Sequence, residues 1–220
     1  MERVEQLRLL KGLINHLDLK TNINAGGIIK TPADTYISEE RFDREWNTFF
    51  LNHPQIIGLS GDLPKPNSFV TTEDFGVPIL AVRDDTGEFK AYANVCPHRG
   101  VTIESSKKGE KSKFSCPFHG WTFNNEGNLI GYPKKEQFGE IDKDCYGLKE
   151  LPAIEKFGFL WVHPKRDGNI DLDELLGKEL QAEFDAWNFQ SLVFANEDLY
   201  FTDMNWKLAI DTFGETYHFS

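Results

Sequence analysis

Six histidines and three cysteines are spread over 220 residues, yet two of each fall in two short matching stretches. The first is Cys96-Pro97-His98-Arg99-Gly100 and the second is Cys116-Pro117-Phe118-His119-Gly120, with 17 residues between His98 and Cys116. Thiolate and imidazole are soft to borderline ligands that hold iron–sulfur clusters or zinc. Two loops with two ligands each can grip a metal centre from two sides. The closing glycines permit tight turns and close backbone approach, so that amide N–H groups can point at ligand sulfurs. Buried cysteines and structural histidines are the ordinary explanation for such residues, and the paired order argues against it. A Cys2His2 zinc site is the sharper alternative. Zinc fingers normally keep the two Cys together and the two His together, whereas each loop here supplies one of each.

A second constellation lies near the C-terminal end. Asp211, Glu215 and His218 recur at i, i+4 and i+7, the spacing of one helical face. Trp206, Ile210, Phe213 and Tyr217 form an apolar stripe on another. Spacing alone is equally consistent with a solvated polar face.

The elements that must position these residues change character along the chain. Val4, Leu7, Leu10, Leu13, Ile14 and Leu17 predict a packing helix over residues 2–19. Thr21–Ala33 reads as a linker, and Ser38 as the cap of a helix over 39–52 with Phe42, Trp46, Phe49 and Phe50 buried. Short β segments follow at Ile56–Leu59, Phe69–Thr72, Ile79–Arg83, Glu88–Val95, Trp121–Phe123, Leu129–Ile130 and Phe157–Val162. Asp84-Asp85-Thr86-Gly87 and Asn124-Asn125-Glu126-Gly127 are turns between neighbouring pairs. Alternation along residues 89–95 predicts a half-buried strand. Asp171 caps a helix bearing Leu172, Leu175, Leu176, Leu180 and Phe184; Ser191–Thr202 reads as a strand; Asp203 caps the last helix. The sequence stops at Ser220 without a helix-stop signal, so a truncated chain is expected.

Composition bounds the function. Lys and Arg number 24 against 35 Asp and Glu, a formal net charge of −11. That disfavours nucleic acid, which needs a basic face to displace phosphate counterions, and anionic membrane surfaces. No stretch approaches the roughly 18 apolar residues of a membrane span, and the charged N-terminus does not read as a signal peptide, so a cytoplasmic location is expected. Three cysteines imply no disulfide scaffold, and Cys145, outside both loops, reads as structural.

Cys-Pro-His-Arg-Gly and Cys-Pro-Phe-His-Gly-Trp-Thr-Phe, with Ala93-Asn94-Val95 ahead of the first, resemble the Rieske loops of ring-hydroxylating oxygenase large subunits. The resemblance implies a [2Fe–2S] cluster with Cys96 and Cys116 on one iron and His98 and His119 on the other. High-potential Rieske proteins of respiratory complexes carry an extra Cys in each loop and a membrane anchor. Val101 and Phe118 stand at the equivalent positions here, so a low-potential centre is expected. The run Asn205–His218 resembles the start of the iron-binding motif of the same enzymes' catalytic domain. It implies His218 as the first ligand of a mononuclear Fe(II) held by two His and one carboxylate, the other two lying beyond Ser220. Glu215 matches the carboxylate that bridges that iron to a Rieske histidine of a neighbouring subunit. Many members have Asp there, and Glu marks a subgroup that includes oxidisers of quaternary amines.

The resemblance therefore implies an α+β chain. An N-terminal helical segment (1–55) precedes an antiparallel β Rieske domain (56–164) and the truncated start of a helix-grip catalytic domain (165–220). The implied activity is O₂-dependent hydroxylation or dihydroxylation of an aromatic or other small organic substrate. Electrons would come from NAD(P)H through a reductase, with or without a ferredoxin, in a homo-oligomer, commonly a trimer. A monooxygenase or demethylase acting on a quaternary amine or methoxy compound is the alternative within the class. A stand-alone Rieske ferredoxin is the alternative outside it; such carriers are shorter and lack a run like Asn205–His218.

Overall fold

The computed structural model describes residues 2–22, 27–138 and 141–214. The chain divides into two units, residues 1–42 with 199–220 and residues 43–198. The expected sites Glu215 and His218 lie outside the described residues.

In the first unit, α1 (Arg3–Leu19) forms as its spacing predicts and ends at Lys20 in the left-handed conformation. It is not the packing helix expected: none of its residues is buried, and the stripe from Leu7 to Leu17 stays exposed. A short α2 (Asp34–Ile37) precedes α3 (Glu39–Glu45), whose first turn is capped by Ser38 Oγ accepting from the Arg41 N–H at 3.2 Å. The single helix predicted over 39–52 instead loosens after Glu45 into a π-helical turn, Trp46–Phe50, and none of its predicted stripe is fully buried. The expected strand over 191–202 is absent: apart from a 3-10 turn at Phe189–Ser191, that stretch is irregular. Its β-prone residues find no partner strand, and a strand without a partner leaves its backbone groups unpaired.

The second unit has sheets that are antiparallel throughout. Its strands are β1 (Gln55–Leu59), β2 (Ser68–Thr72), β3 (Ile79–Arg83), β4 (Phe89–Ala93), β5 (Lys108–Glu110), β6 (Lys113–Ser115), β7 (Thr122–Asn124), β8 (Leu129–Gly131), β9 (Glu150–Leu151), β10 (Ala153–Lys156) and β11 (Phe159–Val162). They form a central sheet in the order β5-β2-β3-β4-β9 and two three-stranded sheets, β1-β11-β10 and β6-β7-β8. Phe157 and Gly158, expected to begin a strand, have positive φ and turn the chain between β10 and β11.

The central sheet is buried on both faces, which corrects the half-buried reading of residues 89–95. Leu80, Val82 and Tyr92 join Phe69, Phe114, Trp121 and Phe123 in one core. Ile79, Ala81, Phe89 and Ala91 point the other way, into a second core with Leu63, Leu160 and Val162. Successive side chains of a strand face opposite sides, so one sheet closes both cores.

The turn between β3 and β4 is held by Asp84. Its Oδ1 accepts from the Thr86 N–H, the Thr86 hydroxyl and the Glu88 N–H at 2.7–2.9 Å, and Lys90 Nζ lies 3.2 Å from Oδ2. Toward the C-terminus, α4 (Leu172–Trp187) starts at Asp171, whose side chain accepts from the N–H groups of Asp173 and Glu174. The last helix, α5 (Trp206–Gly214), is capped by Asn205 rather than Asp203: Asn205 Oδ1 accepts from the Lys207 N–H at 3.1 Å.

Candidate metal centre

The two Cys/His loops are built alike. In the first, the Cys96 N–H donates to the Val101 carbonyl and the Gly100 N–H donates back to the Cys96 carbonyl, both at 2.8 Å. In the second, the Cys116 N–H donates to the Trp121 carbonyl at 2.8 Å and the Gly120 N–H to the Cys116 carbonyl at 2.9 Å. A bridge between Val95 and Thr102 closes the base of one loop, and the pair Ser115–Thr122 of β6 and β7 closes the other. Gly100 and Gly120 both take left-handed φ, +73° and +68°. Each loop thus turns through Cys-Pro-x-x-Gly on the same hydrogen-bond frame, and the histidine sits one position later in the second. The equal frames are why two loops of different sequence present a Cys and a His in comparable places.

Tertiary packing brings the loops together. Cys96 and Cys116 are buried in the first core, near enough to interact through their sulfurs. The His98 and His119 rings are 4.9 Å apart, centroid to centroid, with His119 exposed and His98 half-buried. All four candidate ligands of the sequence reading therefore meet, cysteines inside and histidines outward. The other described candidate, Asp211, lies in α5 and accepts a hydrogen bond from Tyr36. Cys145, expected to be structural, is exposed on a 3-10 turn, its thiol 3.2 Å from Asp142 Oδ2.

Several supporting residues are given no role by the sequence reading. The Trp121 indole stacks on the His98 ring, 4.8 Å away and 2° from parallel, so the end of one loop orients the ligand candidate of the other. Tyr132, Phe138 and Tyr146 surround that indole with centroids at 5.5–5.9 Å. Asn94 is 1% exposed and works as a staple under the first loop. Its Nδ2 donates to the Glu104 carbonyl at 2.7 Å, and its Oδ1 accepts from the N–H groups of Ile103 and Glu104 at 3.3 and 3.1 Å. Glu104, also buried, pairs with Lys111. Burial opposes its charge, but Lys111 and Ser106 hold its carboxyl below the usual range. The sequence reading places Asn94 in the motif ahead of the first loop but cannot show its role, because the groups it binds lie about ten residues on.

The donor set fits a dinuclear sulfide-bridged cluster. Burial pushes the Cys96 thiol up, the N–H groups of His98 and Arg99 directed at its sulfur pull it down, and the neighbouring Cys116 pushes it up again. Two thiolates side by side in this core need a cation between them. Burial together with the charges of His119 and Arg99 lowers the His98 pKa, favouring the neutral imidazole that a metal takes. The Trp121 Nε1–H is buried without an acceptor, a donor that a sulfide-rich group beside it would suit. One Cys and one His from each loop, thiols inside and imidazoles outward, suit a centre with two ligands on each of two irons.

A family model described as the Rieske [2Fe-2S] domain matches residues 53–153. The alpha subunit of toluate 1,2-dioxygenase from Pseudomonas putida is 29% identical over 202 residues, covering 88% of this chain and 44% of that protein. The oxygenase subunit of carnitine monooxygenase from Acinetobacter baumannii is 28% identical over 187 residues, covering 85% of this chain and 50% of that one. The solved structure of a quaternary ammonium Rieske monooxygenase superposes with a TM-score of 0.76 at 26% identity, over 86% of this chain and 53% of its own. The chain spans about half the length of the curated relatives it matches. Twin Cys/His loops on an antiparallel β scaffold carry the match to the Rieske [2Fe-2S] domain, and over most of its length the chain is similar to the alpha subunits of Rieske oxygenases.

Proposed function

We propose that this chain is the electron-accepting part of a Rieske-type oxygenase component. It would take NAD(P)H-derived electrons through a [2Fe–2S] cluster for O₂-dependent hydroxylation or dihydroxylation of a small organic substrate. The observation that carries this is the pair of equal loop frames with buried thiols inside and imidazoles outward. Cys96 and Cys116 would hold the inner iron and His98 and His119 the outer one. When bound, the cluster supplies a one-electron carrier. The protein's part is to exclude water from the sulfurs, keep the His98 imidazole neutral and leave the His119 edge open for electron entry or exit. Residues 56–164 would be the Rieske domain, with residues 1–55 an N-terminal helical segment and 165–220 the start of a catalytic domain. There His218 would be one ligand of a mononuclear Fe(II), and Glu215 would join it to the His119 of a neighbouring subunit in a trimer. A reductase, directly or through a ferredoxin, would be the redox partner.

A second reading is favoured by two observations: a quaternary ammonium monooxygenase superposes with a TM-score of 0.76 against 0.59 for a naphthalene 1,2-dioxygenase, and Glu stands at position 215. In that reading the substrate is a quaternary amine and the reaction a monooxygenation. Two measurements test both. Iron analysis and EPR of the reduced protein should give about two irons per chain, no zinc and a Rieske-type signal, which His98→Cys or His119→Cys abolishes while lowering the potential. A colourless protein holding one zinc overturns the cluster. Single-turnover product formation in the assembled holoenzyme, with an aromatic carboxylate and a quaternary amine side by side, separates the two substrate classes.

A further inference from the structure

Within the unit formed by residues 1–42 and 199–220, one residue of the N-terminal segment holds α5 at two places. The Tyr36 phenol donates to Asp211 Oδ2 at 2.6 Å. The Tyr36 carbonyl accepts from Asn205 Nδ2 at 3.1 Å. Asn205 thus uses its amide twice, the oxygen capping α5 and the nitrogen binding Tyr36. Asn205 and Asp211 are six residues apart, about 9 Å along a helix axis at 1.5 Å per residue. A helix held at two points so separated cannot slide or turn without breaking one of them. The phenol–carboxylate bond has the short length of charge-assisted O–H···O⁻ bonds, roughly twice as strong as neutral ones.

We propose that Tyr36 is a positioning residue for the electron-delivery helix: by gripping Asn205 and Asp211 it fixes the rotation of α5. The sequence puts Glu215 and His218 four and seven residues after Asp211, so the segment that carries them leaves from the end of the helix that Tyr36 grips. A slip of one residue would turn α5 by about 100°. The inference rests on the role proposed above for Glu215. The pair also marks itself electrostatically. The hydrogen bond to Asp211, burial and the Asp211 charge raise the Tyr36 pKa above the usual phenol value, against a smaller opposing effect of the Thr31 hydroxyl.

Three near-isosteric variants of the assembled holoenzyme test it. Tyr36→Phe removes only the hydroxyl. Asn205→Asp keeps the capping oxygen and loses the N–H that binds the Tyr36 carbonyl. Asp211→Asn keeps an acceptor for the phenol and removes the charge. Tyr36→Phe and Asn205→Asp are each expected to lower single-turnover product formation from a pre-reduced cluster about tenfold, the worth of one hydrogen bond to a charged or helix-capping group. Their Rieske EPR signal and iron content should match the parent. Asp211→Asn should lose less than Tyr36→Phe, and the phenol titration assigned to Tyr36 by difference absorbance should move down. Variants that turn over like the parent, or a phenol titration unmoved by Asp211→Asn, overturn the proposal while the cluster assignment stands. A parent without a Rieske signal overturns the functional reading and this inference together.

Discussion

At the scale of single residues, the candidate centre depends on a few side chains that the loops cannot replace. Gly100 and Gly120 share a left-handed φ but not their surroundings. A Cβ at Gly100 meets nothing within 4 Å, whereas one at Gly120 comes within 3.2 Å of Pro133 Cγ. Gly100→Ala is expected to cost about 1 kcal/mol from backbone strain alone, and Gly120→Ala more, with faster cluster loss. Urea unfolding together with the decay of cluster absorbance checks the order; equal effects would mean that Pro133 yields freely. Asn94 is a sharper case, with three hydrogen bonds to backbone groups of Ile103 and Glu104. Asn94→Leu fits roughly by volume but strands those groups. It is expected to destabilise by about 2–4 kcal/mol and to weaken cluster retention, read from the same two measurements.

At the scale of elements, the turn joining β3 to β4 matters because β4 runs straight into the first loop. Burial of Asp84 opposes its ionisation, but the Thr86 hydroxyl, the Glu88 N–H, Lys90 and the Thr86 N–H outweigh it and hold the carboxyl at about 2. Its folded pKa lies below the ordinary 3.8, so this turn stabilises the fold above pH ~4 and loses that contribution as pH falls toward 2. Asp84→Asn should lower stability at pH 7 by about 2 kcal/mol, a difference from the parent that closes on acidification through that window. Guanidinium unfolding at pH 7 and pH 3 measures it, and a pH-independent difference would refute the assignment. The turn itself was readable as Asp-Asp-Thr-Gly. Strands β5, β6, β9 and β10 were not, because Lys-Gly-Glu and Lys-Phe-Ser carry almost no β pattern of their own. Their pairing partners β2, β7, β4 and β11 make them strands. The reverse error at 191–202 has the same cause, since β-prone residues without a partner edge do not form a strand.

At the scale of the molecule, one sheet divides two cores, and only one of them carries the cysteines. Leu80 and Leu160 are both fully buried, on opposite sides of that division. Either Leu→Ala change should cost about 2–5 kcal/mol. Leu80→Ala should also speed cluster loss, because its cavity opens beside the residues that seat Cys96 and Cys116. Leu160→Ala should leave the cluster's optical and EPR spectra and lifetime unchanged. Thermal unfolding followed by both circular dichroism and cluster absorbance distinguishes them; parallel loss in both variants would show that the two cores act as one.

The sequence by itself determined the donor types, their order and the two glycine turns, because a Cys-Pro-x-x-Gly loop closes on hydrogen bonds within itself. It also determined α1, α4 and the cap at Asp171, which depend on neighbours a few residues away. Tertiary structure alone decided that loops 20 residues apart meet with thiols inward and imidazoles outward, since that depends on pairing between β2, β3, β4 and β5 and between β6 and β7. It also decided that Trp121 of one loop orients His98 of the other, that Asn94 staples the chain ten residues ahead, and that Tyr36 reaches Asp211 across 175 positions. The physical reason is range: spacing specifies which groups share a turn or a helical face, whereas a contact between distant segments exists only once packing and hydrogen bonding have closed the chain between them.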